Sequence, residues 1–356
     1  MTQLIRGAGL IKDLYIDDWG DIDRFIATAW GPEHPLRDRE LFVWQHSGSV
    51  AMPRSGIATA AMADGQIVGL RGLQHLSFQI YPENNVLQVV KGCTAPFMHV
   101  LKRHRGVLGL RLYRHNLAAF PVNLFLGANK LTSLRLHEAT GYQIFDDLPR
   151  FGLRVSATTP RTLVVDADQM INPEFLASLW TRFSDCYKPF SILRNKEFFR
   201  WRYADAPFWQ YRMLRSQQKD AAVVYRIEPV THRGKNEGSA LRILEFFCDP
   251  DTCTEFRLNE FLAQIISFAA AKDCQYIDHF QTMRPLQQSL LNAGFTRICH
   301  ESGSFPVLFN PLNYEKPPIN YGWKLSSELV KQVDEQQFAH YVVKSDSDQD
   351  RPAPSG

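Results

Sequence analysis

Residues 100–112 read VLKRHRGVLGLRL, a run of cations around Gly106 followed by apolar residues spaced for a helix. Two readings are open. A helix N-terminus preceded by a turn that aims several N–H groups outward binds anions, because unpaired donors and the helix dipole act together. Gly106 would let a phosphate approach the backbone with no Cβ in the way, and Lys102, Arg103 and Arg105 would add charge. The other reading is a solvated basic face leading into an amphipathic helix. The flanking segments bear on the choice.

Upstream, strand-like KDLYI leads to helices over DIDRFIATAW and RDRELFVWQH. ATAAMA and QIVGLRGL then form two strands joined at Asp64-Gly65, a strong hairpin signal. LSFQIY is a further strand, and the apolar run VLQVVKGCTAPFMHVL delivers the chain into the basic loop. Downstream come a helix to about Phe120, the strand VNLFLGA, the helix KLTSLRLHEAT stopped by Gly141, and the strand YQIF. The order β-α-α-β-β-β-α-β-α-β predicts an α/β fold built on a mixed sheet.

SATTPRT marks a boundary near residues 156–162. Beyond it a similar order returns: strand TLVVDA, helix PEFLASLWTRF, strands YRMLRS, AAVVYRIEP and ALRILEFF, helix TEFRLNEFLAQIISFAAAK, strand CQYIDHF, helix RPLQQSLLNAG and strand FTRICH. The expected units are residues 1–156, 157–312 and a C-terminal extension, 313–356. The extension holds a helix over SSELVKQVDEQQ, a strand-like FAHYVV and a polar, mobile tail, KSDSDQDRPAPSG.

The balance of 45% apolar and 22% charged residues is that of a globular protein with sizeable cores. Forty Lys and Arg against 37 Asp and Glu give a net charge of +3, which argues against a nucleic-acid partner. The N-terminal stretch becomes acidic before any apolar run of signal length, and FLAQIISFAAA falls short of a membrane span, so a cytoplasmic location is expected. Six cysteines without a C-x-x-C pair or matched His spacing point to reduced thiols and no metal.

Placed between the apolar run and a helix, the loop resembles that of the GNAT superfamily of acyl-CoA N-acyltransferases. Arg103 and Gly106 fall on the family's pattern; Leu108 stands where its second small residue belongs, and Gly109 follows one position later. In GANKLTSLRLHEATGY, Asn129, Ser133, Gly141 and Tyr142 resemble a second family element. The resemblance implies acetyl-CoA, or another acyl-CoA, as co-substrate, held by Arg103, Arg105, Gly106, Val107, Leu108, Gly109 and Asn129. His137 takes the place of the family's thiolate-protonating tyrosine; it is an acid of suitable range or an ordinary histidine. His99, on the apolar run, is a candidate base or a packed strand residue. The pantetheine arm would lie between two splayed strands, pairing with their free edges as a strand would.

The segment EFFRWRYADAPFWQYR is either core or an aromatic and guanidinium surface for a sugar or nucleotide-sugar phosphate. Trp201, Arg202 and Tyr203, with Pro207 and Tyr211, look like the corresponding segment of tandem GNAT-like proteins associated with bacterial polysaccharide and lipopolysaccharide synthesis, as does the terminal KSDSDQDRP. That resemblance implies two GNAT-like domains in tandem and a small-molecule amino-sugar acceptor. Glu245, Asp278 and His279, at strand ends of the second half, are further acceptor candidates or structural residues. Two alternatives stand beside it: a Fem-type peptidyltransferase using aminoacyl-tRNA, and a catalytically inactive pair acting as a binding or scaffold module.

Overall fold

The computed structural model describes residues 10–48, 56–83, 85–161, 168–299, 305–315, 318–333 and 339–347. TLVVDA lies outside them, as do the last four residues of SSELVKQVDEQQ and the last nine residues of the chain.

The first half begins with β1 (Leu10–Leu14), α1 (Trp19–Trp30) and α2 (Arg39–Ser47). α1 turns Ile22, Phe25 and Ile26 inward at helical spacing, and the side chain of Asp38 caps α2 by accepting from Leu41 N–H at 3.0 Å. β2 (Ala58–Ala63) and β3 (Gln66–Gly72) form a hairpin whose turn residues, Asp64 and Gly65, both have positive φ, as a tight two-residue turn requires. β4 (Gln74–Ile80) follows directly. The apolar run becomes two strands, β5 (Gln88–Thr94) and β6 (Met98–Val100), broken at Ala95-Pro96 where proline has no N–H to donate. α3 (Val107–Ala119), β7 (Val122–Leu126), α4 (Ser133–Ala139) and β8 (Gln143–Phe145) complete this half as expected.

The chain then crosses over. β9 (Arg150–Arg154) joins the sheet of the second half. That half contains β10 (Asp168–Met170), α5 (Pro173–Tyr187), β11 (Ser191–Ile192), α6 (Lys196–Phe199), β12 (Arg212–Arg215), β13 (Ala221–His232), β14 (Lys235–Cys248), α7 (Glu255–Ala271), β15 (Cys274–Phe280), α8 (Arg284–Asn292) and β16 (Thr296–Arg297). A small ribbon of β17 (Leu308–Phe309) and β18 (Leu312–Asn313) precedes β19 (Tyr321–Leu325) and α9 (Ser327–Val330).

Among the described residues three larger sheets result. β1, β2, β3 and β6 form one; β11, β4, β5, β7, β19 and β8 a second; β10, β12, β13, β14, β15, β9 and β16 a third. The order strand, helix, strand, helix, strand from β6 to β8 recurs from β14 to β16, and each series closes on a strand taken from elsewhere. β9 lies between β15 and β16, and β19 lies between β7 and β8. The boundaries expected near residues 156 and 312 therefore do not divide the sheets: residues 150–154 belong with the second half, and 321–325 with the first. One apolar core, running from Phe78 and Leu124 through Trp180 and Phe190 to Phe247 and Tyr341, joins them. The tail also differs from expectation, since Lys344, Ser345, Asp346 and Ser347 are buried.

Candidate functional site

β5 and β7 run parallel through Gly92–Val122, Cys93–Asn123 and Thr94–Leu124, then part. β6 goes to β3, while Phe125 and Leu126 go to β19. On either side of β6, Phe97 O accepts from Gly72 N–H and Leu101 N–H donates to Val68 O, both on β3. By the alternation of a strand, the backbone groups of Met98 and Val100 face the gap.

The basic loop stands at the mouth of this gap. A single 3-10 turn, Lys102–His104, leads to Gly106, which has φ +92° and open space where a Cβ would point. Among the described residues no side chain caps α3, and its first helical bond runs from Leu110 N–H to Gly106 O. The N–H groups of Val107, Leu108 and Gly109 thus open the helix without helical partners, beside an exposed Arg103 and a Val107 that is 77% exposed. Leu108 packs toward Val100 and Leu112 instead of lining the loop, and Gly109 is buried against Val100. Arg105 Nε donates to Val100 O at 3.1 Å, so this guanidinium covers a free carbonyl of the gap instead of standing out for an anion. Asn129 is exposed at the end of β7; its Oδ1 accepts from Leu131 N–H at 2.9 Å and closes the turn into α4.

The two candidate histidines lie on opposite faces. His99 packs edge-on to Trp30 and Phe25 on the α1 side, with ring centroids at 5.0 and 6.2 Å; burial, then Arg105, lowers its pKa. His137 lies on the α3–α4 side, stacked on Phe125 at 4.1 Å, with Nδ1 2.6 Å from the Tyr113 hydroxyl. Burial, with Arg71 adding to it, pushes His137 down to about 3, so the ring is neutral near pH 7 and has no imidazolium proton to give. Arg71 itself is buried on β3, donates to Tyr113 O at 2.9 Å and lies over the Tyr113 ring at 4.6 Å; among the described residues it has no carboxylate partner. A lone cation in the apolar strand QIVGLRGL is a signal the sequence reading passed over.

In the second half the expected acceptor residues are internal. Trp201 and Trp44 exchange indole-to-carbonyl hydrogen bonds of 2.8 and 2.7 Å, which ties this segment to α2. Arg202 is buried and donates to Ser345 O and Ser347 O at 2.8 and 3.2 Å. The Tyr203 hydroxyl donates to Glu245, which also receives Arg194 Nε and the Tyr341 hydroxyl. Asp278 is held by Arg150 and Arg242; burial opposes its charge, but the two guanidiniums outweigh that and keep its carboxyl well below the usual range. His279 Nδ1 lies 2.9 Å from Ile243 O, and burial pushes the ring down to about 4. None of Arg202, Tyr203, Glu245, Asp278 and His279 faces solvent; together they brace the interior.

An open cleft of about 540 Å³ does involve the aromatic segment, through different residues. Ile16, Val43, Trp44 and Pro207 give it an apolar floor, and Arg39, Glu40 and Asp205 give it charge. These three charged side chains have no ion-pair partner among the described residues. Sequence reasoning missed Arg39 and Glu40 because, on a solvated helix start, they look like ordinary surface charge.

Comparison with solved structures places this strand order among known folds. A GCN5-related N-acetyltransferase from Anabaena variabilis superposes with a TM-score of 0.58 at 11% identity, over 89% of this chain and 72% of that one. The chain has the GNAT fold. A GCN5-related N-acetyltransferase from Kribbella flavida gives 0.56 at 12% identity, over 91% and 72%. A conserved protein of unknown function from Enterococcus faecalis, described as a probable N-acyltransferase, gives 0.54 at 11%, over 88% and 72%. No family model and no curated protein sequence matches the chain. At such identities the likeness is one of GNAT fold alone. No helix among the described residues is long and apolar enough to cross a membrane.

Proposed function

We propose that the protein is an acyl-CoA-dependent N-acyltransferase, acetyl-CoA being the first donor to test, which acts on an amino sugar or nucleotide-linked amino sugar in surface polysaccharide synthesis. The observation that carries this reading is the parting of β6 and β7 beside an uncapped, exposed helix N-terminus. The donor's phosphates would take the N–H groups of residues 107–109, with Arg103 and Lys102 adding charge. Its amide arm would pair with the free edge of Met98 and Val100, displacing the Arg105 side chain from Val100 O.

The acceptor amine then attacks the thioester carbonyl, a C–N bond forms, and CoA leaves as the thiolate. A strand N–H aimed into the gap stabilises the oxyanion. His99 has its pKa lowered and is unprotonated near neutral pH, so it is the group suited to take the ammonium proton. His137, neutral and engaged with Tyr113, is assigned a positioning role, and the thiolate takes its proton from solvent. The charged, apolar-floored cleft along α2 suits a polar acceptor: Glu40 and Asp205 accept from ammonium or hydroxyl groups, and Arg39 pairs with an anionic group. The link to polysaccharide rests on the resemblance of the aromatic segment.

A scaffold role without catalysis is favoured by the Arg105 side chain seated on Val100 O. Calorimetry with acetyl-CoA separates the two. Saturable binding that Val107→Glu abolishes supports the donor site, because a carboxylate there repels phosphate while suiting a helix N-terminus. Absence of binding by the unsubstituted chain rejects the acyltransferase reading.

A further inference from the structure

In the second half β14 and β15 run parallel only as far as Ile243 and His279. Residues 244–248 continue on β13 alone, leaving an edge where the first half has its strand gap. Residues 339–347 occupy that edge. On one flank Phe190 N–H donates to Ala339 O at 2.8 Å and Tyr341 N–H to Phe190 O at 3.0 Å. On the other, Thr282 Oγ1 donates to His340 O at 2.6 Å and accepts from Val342 N–H at 3.0 Å, while Val343 bridges to Gln281. Between them the Tyr341 hydroxyl accepts from Phe246 N–H at 3.2 Å and lies 3.2 Å from Phe246 O and 2.9 Å from the Glu245 carboxylate. The Phe246 amide on the abandoned edge is thus taken, and the same hydroxyl, whose proton goes to Glu245, stands over the Phe246 carbonyl.

The segment is latched beyond the gap. Asp346 receives Arg194 at 2.6 Å with both side chains buried, and Arg202 grips the carbonyls of Ser345 and Ser347. The neighbouring helix start is unlike that of α3: the Thr254 side chain caps α7 by accepting from Arg257 N–H at 3.3 Å, and Glu255 adds a negative charge in the first turn. A phosphate would meet a capped, acidic end there.

We propose that residues 339–347 are a built-in occupant of the second strand gap, holding the place along residues 244–248 that the amide arm of an acyl donor would take. Each chain then carries one donor site, in the first half. The donor clause rests on the acyltransferase reading; the occupancy of the edge does not.

Two measurements on the full-length chain test the proposal separately. Calorimetry with acetyl-CoA is expected to give one equivalent per chain and none after Val107→Glu. A second equivalent, or one that survives Val107→Glu, overturns the proposal. Hydrogen exchange on Tyr341→Phe, which keeps the ring and removes the hydroxyl, is expected to speed the Phe246 amide roughly ten-fold relative to the amides of β13. An unchanged Phe246 amide shows that the segment does not close the edge and also overturns the proposal. If the chain gives no heat while Phe246 responds, the donor clause falls with the acyltransferase reading and the closed edge stands.

Discussion

At the scale of single residues the molecule keeps its ionisable groups deep and answers them in different ways. Arg194 lies between Glu245 and Asp346, all fully buried or nearly so. Removing it leaves two buried carboxylates without their cation, so Arg194→Ala is expected to cost about 3–5 kcal/mol, measured by denaturant unfolding. Histidines set the response to acid. Burial pushes His46 and His137 down to about 3 and His279 to about 4, from an ordinary value of 6.5. Their folded pKa values are depressed, so their contribution is complete above pH 6.5 and is lost as pH falls toward 4 and 3. Asp346 acts in the opposite sense: burial raises its pKa to about 7, so it favours the folded state most below pH 3.8 and loses that contribution as pH rises to 7. Between pH 6 and 4.5, unfolding takes up protons at these histidines and releases one at Asp346, and the uptake exceeds the release. Stability should therefore fall on acidification, and the check is a series of unfolding midpoints across that range. A flat profile would show that these imidazoles are not neutral in the fold.

At the scale of elements, the strands that the sequence marks and those it hides differ for a physical reason. ATAAMA, QIVGLRGL, VNLFLGA and ALRILEFF carry β-branched or apolar runs bounded by turn residues, and each is a strand. RFGLR and YGWKL, which become β9 and β19, are short and each is interrupted by a glycine, so neither stands out as a strand in the sequence and both go unassigned there. Their glycines are the reason they fit. A Cβ on Gly322 would collide with the Gln143 carbonyl, and one on Gly152 would stand 2.7 Å from the Phe305 ring. Gly322→Ala meets backbone, which cannot move aside, and is expected to destabilise by at least about 3 kcal/mol. Gly152→Ala meets a side chain that can turn, and the loss is expected nearer about 1–2 kcal/mol. Equal effects in thermal unfolding would contradict this difference. The candidate site was legible in part for the same kind of reason. Gly106 and the cations around it follow from local backbone chemistry, whereas Arg202 and Tyr203 are covered by a C-terminal segment more than 140 residues away, and Glu245 by the same segment 96 residues away. No periodicity within EFFRWRYADAPFWQYR reports that contact.

At the scale of the whole molecule, the exchange of β9 and β19 makes the two halves interdependent. A chain ended after residue 156 would lack the strand between β7 and β8, and the rest would lack the one between β15 and β16. Denaturation is accordingly expected to be a single transition, with neither half folding alone; two resolved transitions by circular dichroism and fluorescence would contradict it. The same exchange sets the functional asymmetry, because the segment following β19 returns to fill the second gap while the first stays beside an uncapped helix. The most direct test is hydrogen exchange of the full chain with and without saturating acetyl-CoA. The amides of residues 106–110, with those of Met98 and Val100, are predicted to slow on binding while residues 244–248 stay unchanged. No slowing at residues 106–110 would contradict the account.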